Sequence, residues 1–159
     1  MGSLKPEDFF WAAKITKLES INHTSTKKNI EKTLKIEALA LQCLADSVTD
    51  DMCYAVELIF KSPGRVVVCG IGKSAIVAQK IAATFNSTGT TAMFLHAADA
   101  IHGDLGMLQP GDVALCISKS GDTPEIKMLV PLIKNFGNKI ISFICWCFRF
   151  FILLFRNIF

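Results

Sequence analysis

Residues 65–74 read Arg65-Val66-Val67-Val68-Cys69-Gly70-Ile71-Gly72-Lys73-Ser74. A short β-branched run with no polar alternation suits a strand buried on both faces, as in a parallel sheet. Gly70 closes the run. The residues that follow, 73–85, carry a helical pattern, so this stretch predicts a buried strand, a glycine turn and a helix. That unit sets the fold class for everything around it.

The same alternation continues toward the C-terminus. Strands are expected over 91–95, 112–117 and 139–144, with a helix over 124–136 whose first position is Pro124. Toward the N-terminus, Ile30, Leu34, Ala38, Leu41, Ala45 and Val48 recur at helical spacing and predict one amphipathic helix to about residue 47. A second helix, over Met52, Ala55, Val56, Ile59 and Phe60, follows Thr49 as its cap and is stopped by Ser62-Pro63-Gly64. The expectation is an α/β fold, a doubly wound parallel sheet in three layers preceded by two helices. Residues 1–28 show no sustained period and read as an irregular leader, 29–141 as the ligand-binding domain, and 142–159 as an atypical apolar tail.

Composition bounds the function. The chain has 159 residues, 51% hydrophobic and 19% charged, with a formal net charge of +3. It is long enough to bury a core, and no run of five like charges marks a nucleic-acid surface. Lys5, Glu7 and Asp8 precede any apolar run, unlike a secretory signal, and Pro6 breaks the myristoylation pattern that Gly2 would open. Cys43, Cys53, Cys69 and Cys116 sit inside expected helices or strands and read as reduced core thiols, which implies a cytoplasmic setting. Cys145-Trp146-Cys147 lacks metal-ligand spacing. The segment 140–159 has the length of a membrane span, but Arg149 would lie near its middle at a cost of about 2.5–3.5 kcal/mol, which argues against a span.

Three segments carry chemistry. In Gly70-Ile71-Gly72-Lys73-Ser74 the glycines let a ligand approach the backbone, and the helix that follows offers unpaired N–H groups and a positive end to an anion. With Ala75 the motif also fits a dinucleotide fingerprint, yet that reading wants an acid after the second strand, where His96 stands. A tight turn that binds nothing is the plain alternative. In Ser118-Lys119-Ser120-Gly121-Asp122-Thr123, three hydroxyls gather between a strand end and a helix start, where open α/β sheets hold their ligands. Thr123 as a simple helix cap explains only one of the three. Between them, His96-Ala97-Ala98-Asp99-Ala100-Ile101-His102-Gly103-Asp104-Leu105-Gly106 reads as a polar, ligand-facing loop. Glu125 is either a general base or a carboxylate that favours a helix N-terminus.

Taken in order, V-V-V-C-G-I-G-K-S, A-A-T-F-N-S-T-G-T, H-A-A-D-A-I-H-G-D-L-G-M and S-K-S-G-D-T-P-E-I resemble the sugar isomerase (SIS) domain, and within it the arabinose-5-phosphate isomerases, over about residues 34–141. The resemblance implies an aldose–ketose isomerase that interconverts ribulose 5-phosphate and arabinose 5-phosphate, toward a lipopolysaccharide sugar. It implies that Ser118, Ser120 and Thr123 hold the phosphate with Gly72 and Ser74, and that Gly89, Thr90 and His102 contact the sugar. Lys73 and Glu125 match catalytic positions, and His96 matches a position that takes an inhibitory zinc. No cofactor is expected, and a homo-oligomer is implied by analogy. Lys119 departs from the Asn frequent in bacterial relatives. Beyond residue 141 the expected strand-loop-helix set, with a further Glu and a His, is absent, as if the chain were truncated; a phosphosugar-binding module without catalysis is the alternative.

Overall fold

The computed structural model describes residues 22–146 and 149–154. Its chain divides into two compact units, Met1–Cys43 and Leu44–Phe159.

The first unit carries most of α1 (His23–Ala45), none of whose residues is buried. This helix begins at His23, well before the expected start at Ile30, and the reason is local. The Asn22 carboxamide oxygen accepts hydrogen bonds from the backbone N–H groups of Thr24 and Ser25 at 3.0 and 3.4 Å, which satisfies the orphan donors of a first turn.

In the second unit α2 (Asp50–Phe60) starts at Thr49, whose side chain makes no cap bond. Asp50 and Asp51 favour the positive end of the helix instead. Ala55 and Leu58 are its buried face, whereas Val56 and Phe60 are 68% and 87% exposed. The strands are β1 (Val66–Gly70), β2 (Ala92–His96), β3 (Val113–Ser118), β4 (Lys139–Trp146) and β5 (Arg149–Leu154), in the order β2-β1-β3-β4-β5. The first four run parallel, and β5 returns antiparallel to β4 with Trp146 opposite Arg149 and Ile141 opposite Leu154. Part of the segment expected as a tail is therefore an edge strand, as its aromatic and β-branched residues favour. Among the described residues no helix is long and apolar enough to cross a membrane.

Period-two alternation splits the core between the two sheet faces. Val66, Val68, Val113, Leu115 and Ile141 pack beneath α2 and α3 (Lys73–Ser87). On the opposite face, Val67, Cys69, Ala114, Cys116 and Ile140 meet α4 (Ala97–Ile101), the 3-10 turn Asp104–Met107 and α5 (Pro124–Asn135), whose Ile126, Leu129 and Ile133 are buried. The doubly wound three-layer expectation holds. Two details differ: the polar segment after β2 is mostly helical, and of the four cysteines only Cys69 and Cys116 are core thiols, Cys43 and Cys53 being exposed. Cys43 lies on a helix without a buried face, and Cys53 on the side of α2 away from Ala55 and Leu58.

At the amino-terminal edge of the sheet, buried Asp112 ties several strand starts together. One carboxylate oxygen accepts from the Arg65 backbone N–H at 2.7 Å and from Arg65 Nε at 3.3 Å, the other from Arg65 Nη2 at 2.7 Å and the Gln109 N–H at 2.9 Å. Asn138 Nδ2 donates to the carbonyls of Gln109 and Asp112 at 2.7 and 3.0 Å. Burial alone would raise the Asp112 carboxyl; the Arg65 and Gln109 donors outweigh it and hold it below the usual carboxylate range.

Candidate functional site

The chain leaves β1 toward β2 on one side, while β3 lies on the other, so the carboxyl edge between β1 and β3 is the point where the winding reverses and a crevice opens. Cys69 and Cys116 face each other in register just below that edge, on strands about 4.8 Å apart. The S–H hydrogen bond with Cys116, together with burial, pushes the Cys69 thiol well up, so it stays protonated and serves as packing beneath the two loops.

Gly70 must be glycine. A Cβ there would lie 2.8 Å from the Ser74 carbonyl oxygen, so the first turn of α3 sits directly against the strand end. Gly72 takes φ +57°, in the left-handed region, at the N-cap of α3, and no side chain caps that helix. Its first N–H groups are thus left for a ligand. Lys73, at the first position, is exposed, and Ser74 is half-buried.

The hydroxyl loop is already organised by its own hydrogen bonds. Ser118 is buried, its Oγ lies 2.9 Å from Thr123 Oγ1, and it accepts the Gly121 N–H at 3.0 Å. Ser120 Oγ accepts the Asp122 N–H at 3.2 Å, and Lys127 pairs with Asp122. Gly121 has φ +71°. The Ser118–Thr123 pair has two O–H hydrogens and spends one on its mutual bond, which leaves one to donate. With Ser118 buried and Thr123 half-buried, donation from Ser118 to Thr123 would free the Thr123 hydrogen for a ligand. The Thr123 side chain does not cap α5, so simple capping does not account for it. Glu125 is half-buried at the second position of α5.

Lys73 and Glu125 thus begin helices that follow adjacent strands but cover opposite sheet faces. The carboxyl edge therefore lies between the start of a helix in one layer and the start of a helix in the other.

His96 ends β2 in register with Gly70. Its Nδ1 is buried without an aligned hydrogen bond, although Asp99 Oδ2 lies 3.4 Å away. That distance alone makes no bond, because a hydrogen bond needs the angle as well. The i, i+3 spacing of His96 and Asp99 is the sequence signal for this contact. Among the described residues no group of three or more His, Cys, Asp or Glu side chains is placed to hold a metal, so the residues present do not fit a resident zinc centre at His96. His102 is exposed at the C-terminal end of α4. Gly89 and Thr90 are not brought together with the loops: they precede β2 at the amino-terminal edge, where the neighbouring Thr91 carbonyl accepts the Val66 N–H at 2.9 Å. A largely apolar cavity of about 440 Å³ adjoins the hydroxyl loop on the α5 face, with Ser118, Gly121, Ile126, Ser142 and Ile144 among its walls.

Residues 58–145 match the family model described as the SIS domain. Over 137 residues the chain is 43% identical to a probable arabinose 5-phosphate isomerase of Haemophilus influenzae, covering 84% of this chain and 41% of that protein. The chain therefore spans about two fifths of that relative's length. Among solved structures, an Escherichia coli CFT073 protein in complex with arabinose 5-phosphate aligns with a TM-score of 0.73 and 40% identity, over 78% of this chain and 66% of that one. A putative sugar-phosphate isomerase from Listeria monocytogenes aligns with a TM-score of 0.74 and 30% identity, over 86% and 77% of the two chains.

Proposed function

The chain belongs to the SIS-domain family, and from that premise we propose that it is a phosphosugar aldose–ketose isomerase acting between ribulose 5-phosphate and arabinose 5-phosphate. The observation that carries this reading is the organised hydroxyl loop of residues 118–123 beside the uncapped N-terminus of α3, two anion-receiving features on adjacent strands. A relative at 40% identity was solved with arabinose 5-phosphate bound, which supports a sugar phosphate as the occupant. In this reading Ser120, Thr123, Gly72 and Ser74 take the phosphate, while Ser118 acts chiefly by holding Thr123 and Gly121 in place.

Exchange of aldose and ketose moves a proton between C1 and C2 through an enediolate, with a second proton moving between the two oxygens. Glu125 is proposed to take the carbon-bound proton and return it to the neighbouring carbon, and Lys73 to stabilise the oxyanion that forms meanwhile. The same reading sets the protein in the cytoplasm, where thiols such as Cys69 and Cys116 stay reduced.

Incubation with ribulose 5-phosphate should yield arabinose 5-phosphate, and Lys73→Ala should lower the rate by about 10²–10³-fold, the usual loss when a stabiliser of a developing oxyanion is removed. No product above that variant would exclude catalysis. Binding without turnover would favour the second reading, a non-catalytic phosphosugar-binding module. One observation supports it: after β4 the chain returns as antiparallel β5, where another parallel crossover would add a further loop to the carboxyl edge.

A further inference from the structure

Cys69 and Cys116 take no part in the proposed chemistry, yet their placement is specific. They stand opposite each other in register on adjacent parallel strands, on one face of the sheet and in one core cluster. Strands lie about 4.8 Å apart, inside the Cα separation of roughly 4.4–6.8 Å that a disulfide spans. Cys69 directly precedes Gly70, and Cys116 is followed by Ile117 and Ser118, so a bond between the two sulfurs acts on both anion-receiving loops at once. Access to the two differs. Cys116 is among the walls of the cavity of about 440 Å³ on the α5 face, together with Ser118 and Ser142, whereas Cys69 is not one of them. Ser142 is buried and in register with Cys116 on the side away from Cys69, which places a hydroxyl beside Cys116 in the same wall. Its contact with Cys116 and its burial keep the Cys69 thiol protonated, so Cys69 is not the sulfur that reacts first.

We propose that Cys116 and Cys69 form a reversible dithiol–disulfide pair, which a small hydroperoxide oxidises through this cavity and whose closure disturbs the two loops above it. With hydrogen peroxide, the Cys116 sulfur attacks one oxygen; the O–O bond breaks, leaving a sulfenic acid on Cys116 and one water. The Cys69 sulfur then attacks the Cys116 sulfur. An S–S bond forms, the S–O bond breaks, and the oxygen leaves as a second water with the Cys69 hydrogen. Two thiols lose two hydrogens in all, and the peroxide is reduced to two waters. Side chains in register on parallel strands stay near the strand spacing, above the Cβ separation of roughly 3.5–4.5 Å usual in a disulfide. Closing the bond therefore draws the carboxyl ends of β1 and β3 together and shifts both loops. A bond strained in this way is readily reduced, which suits a transient switch better than a permanent staple.

Treatment of the full chain with hydrogen peroxide, followed by alkylation and peptide mass mapping, should yield a linked Cys69–Cys116 pair, two hydrogens lighter than the free peptides and released by dithiothreitol. In Cys69→Ala the sulfenic acid has no partner and should be trapped at Cys116 by dimedone. Oxidised glutathione, too bulky for the cavity, should modify Cys43 and Cys53, which are exposed, and leave the pair reduced. Amide hydrogen exchange over residues 70–75 and 118–123 should be faster in the linked form and return to its starting rate on reduction. These readouts need no sugar phosphate, so they stand apart from the proposed isomerase activity. A Cys69–Cys116 pair still reduced when Cys43 and Cys53 are fully oxidised by peroxide, a link formed as fast with oxidised glutathione, or a link that leaves loop exchange unchanged would overturn the proposal.

Discussion

Asp112 and Ser118 stand at opposite ends of the same strand and do different work. Asp112 receives four hydrogen bonds in a buried position. Asp112→Asn would turn an amide N–H₂ toward donors that need an acceptor, at a cost of about 2–3 kcal/mol, which lowers the melting temperature by roughly 4–12 °C. Its carboxyl is held below the ordinary value, so its stabilisation is fully present above the unfolded-state pKa near 4 and fades as pH falls through that value toward the folded one. Thermal melts between neutral pH and about pH 3 should therefore fall more steeply for the parent than for Asp112→Asn. At the other end, Ser118→Ala removes the partner of both Thr123 Oγ1 and the Gly121 N–H. Because Ser118 acts through its neighbours, the change should weaken phosphosugar binding by about 2- to 12-fold, at the ~0.5–1.5 kcal/mol of a hydrogen bond between neutral groups, as titration calorimetry would show. The cluster of hydroxyls is legible in the sequence, but their division of labour is not. That Ser118 organises while Ser120 and Thr123 stay more open follows from burial, which three serine and threonine letters do not encode. Asp112 escapes a sequence reading for the same reason, since its partners Arg65 and Asn138 come from distant stretches of the chain.

Elements are easiest to read where local pattern and burial agree. The run from Val66 to Gly70, buried on both faces and followed by a helix, is legible because such a strand has no polar face to alternate with. Gly70→Ala tests the joint between the two: its Cβ would meet backbone at 2.8 Å, forcing the first turn of α3 outward. Such overpacking costs about 1–3 kcal/mol. Chemical denaturation should show that loss, and phosphosugar affinity should fall with it, because the displaced N–H groups belong to the site. Gly72→Ala is the contrast. No atom lies within 4 Å of its Cβ, so the cost is backbone strain alone: φ +57° with ψ −128° lies outside the small left-handed well open to other residues and costs roughly 1–3 kcal/mol. Elements resist reading where the signal is not periodic. The start of α1 rests on Asn22 rather than on apolar spacing, and β5 lies in a run so uniformly apolar that strand, helix and membrane span share one pattern. The segment after β2 reads as a loop because α4 has only five residues, too few to show a period.

On the scale of the whole molecule, topology decides which residues can act together. Sheet order β2-β1-β3-β4 places the loops after β1 and β3 side by side, although α3, β2 and α4 all lie between them along the chain. Adjacency comes from the crossover alone. The same topology sends Gly89 and Thr90 to the other edge. Sequence order does not show that separation, because both close a motif, residues 82–90, that resembles the family as closely as the loops do. In the proposed function the carboxyl edge between β1 and β3 recognises the phosphate of a sugar phosphate. Titration calorimetry with arabinose 5-phosphate and with arabinose tests it most directly. Saturable binding of the phosphorylated sugar is expected, competed by inorganic phosphate and weakened by Ser120→Ala, with no measurable binding of arabinose. Equal binding of both sugars, or no saturable binding of arabinose 5-phosphate, would contradict it.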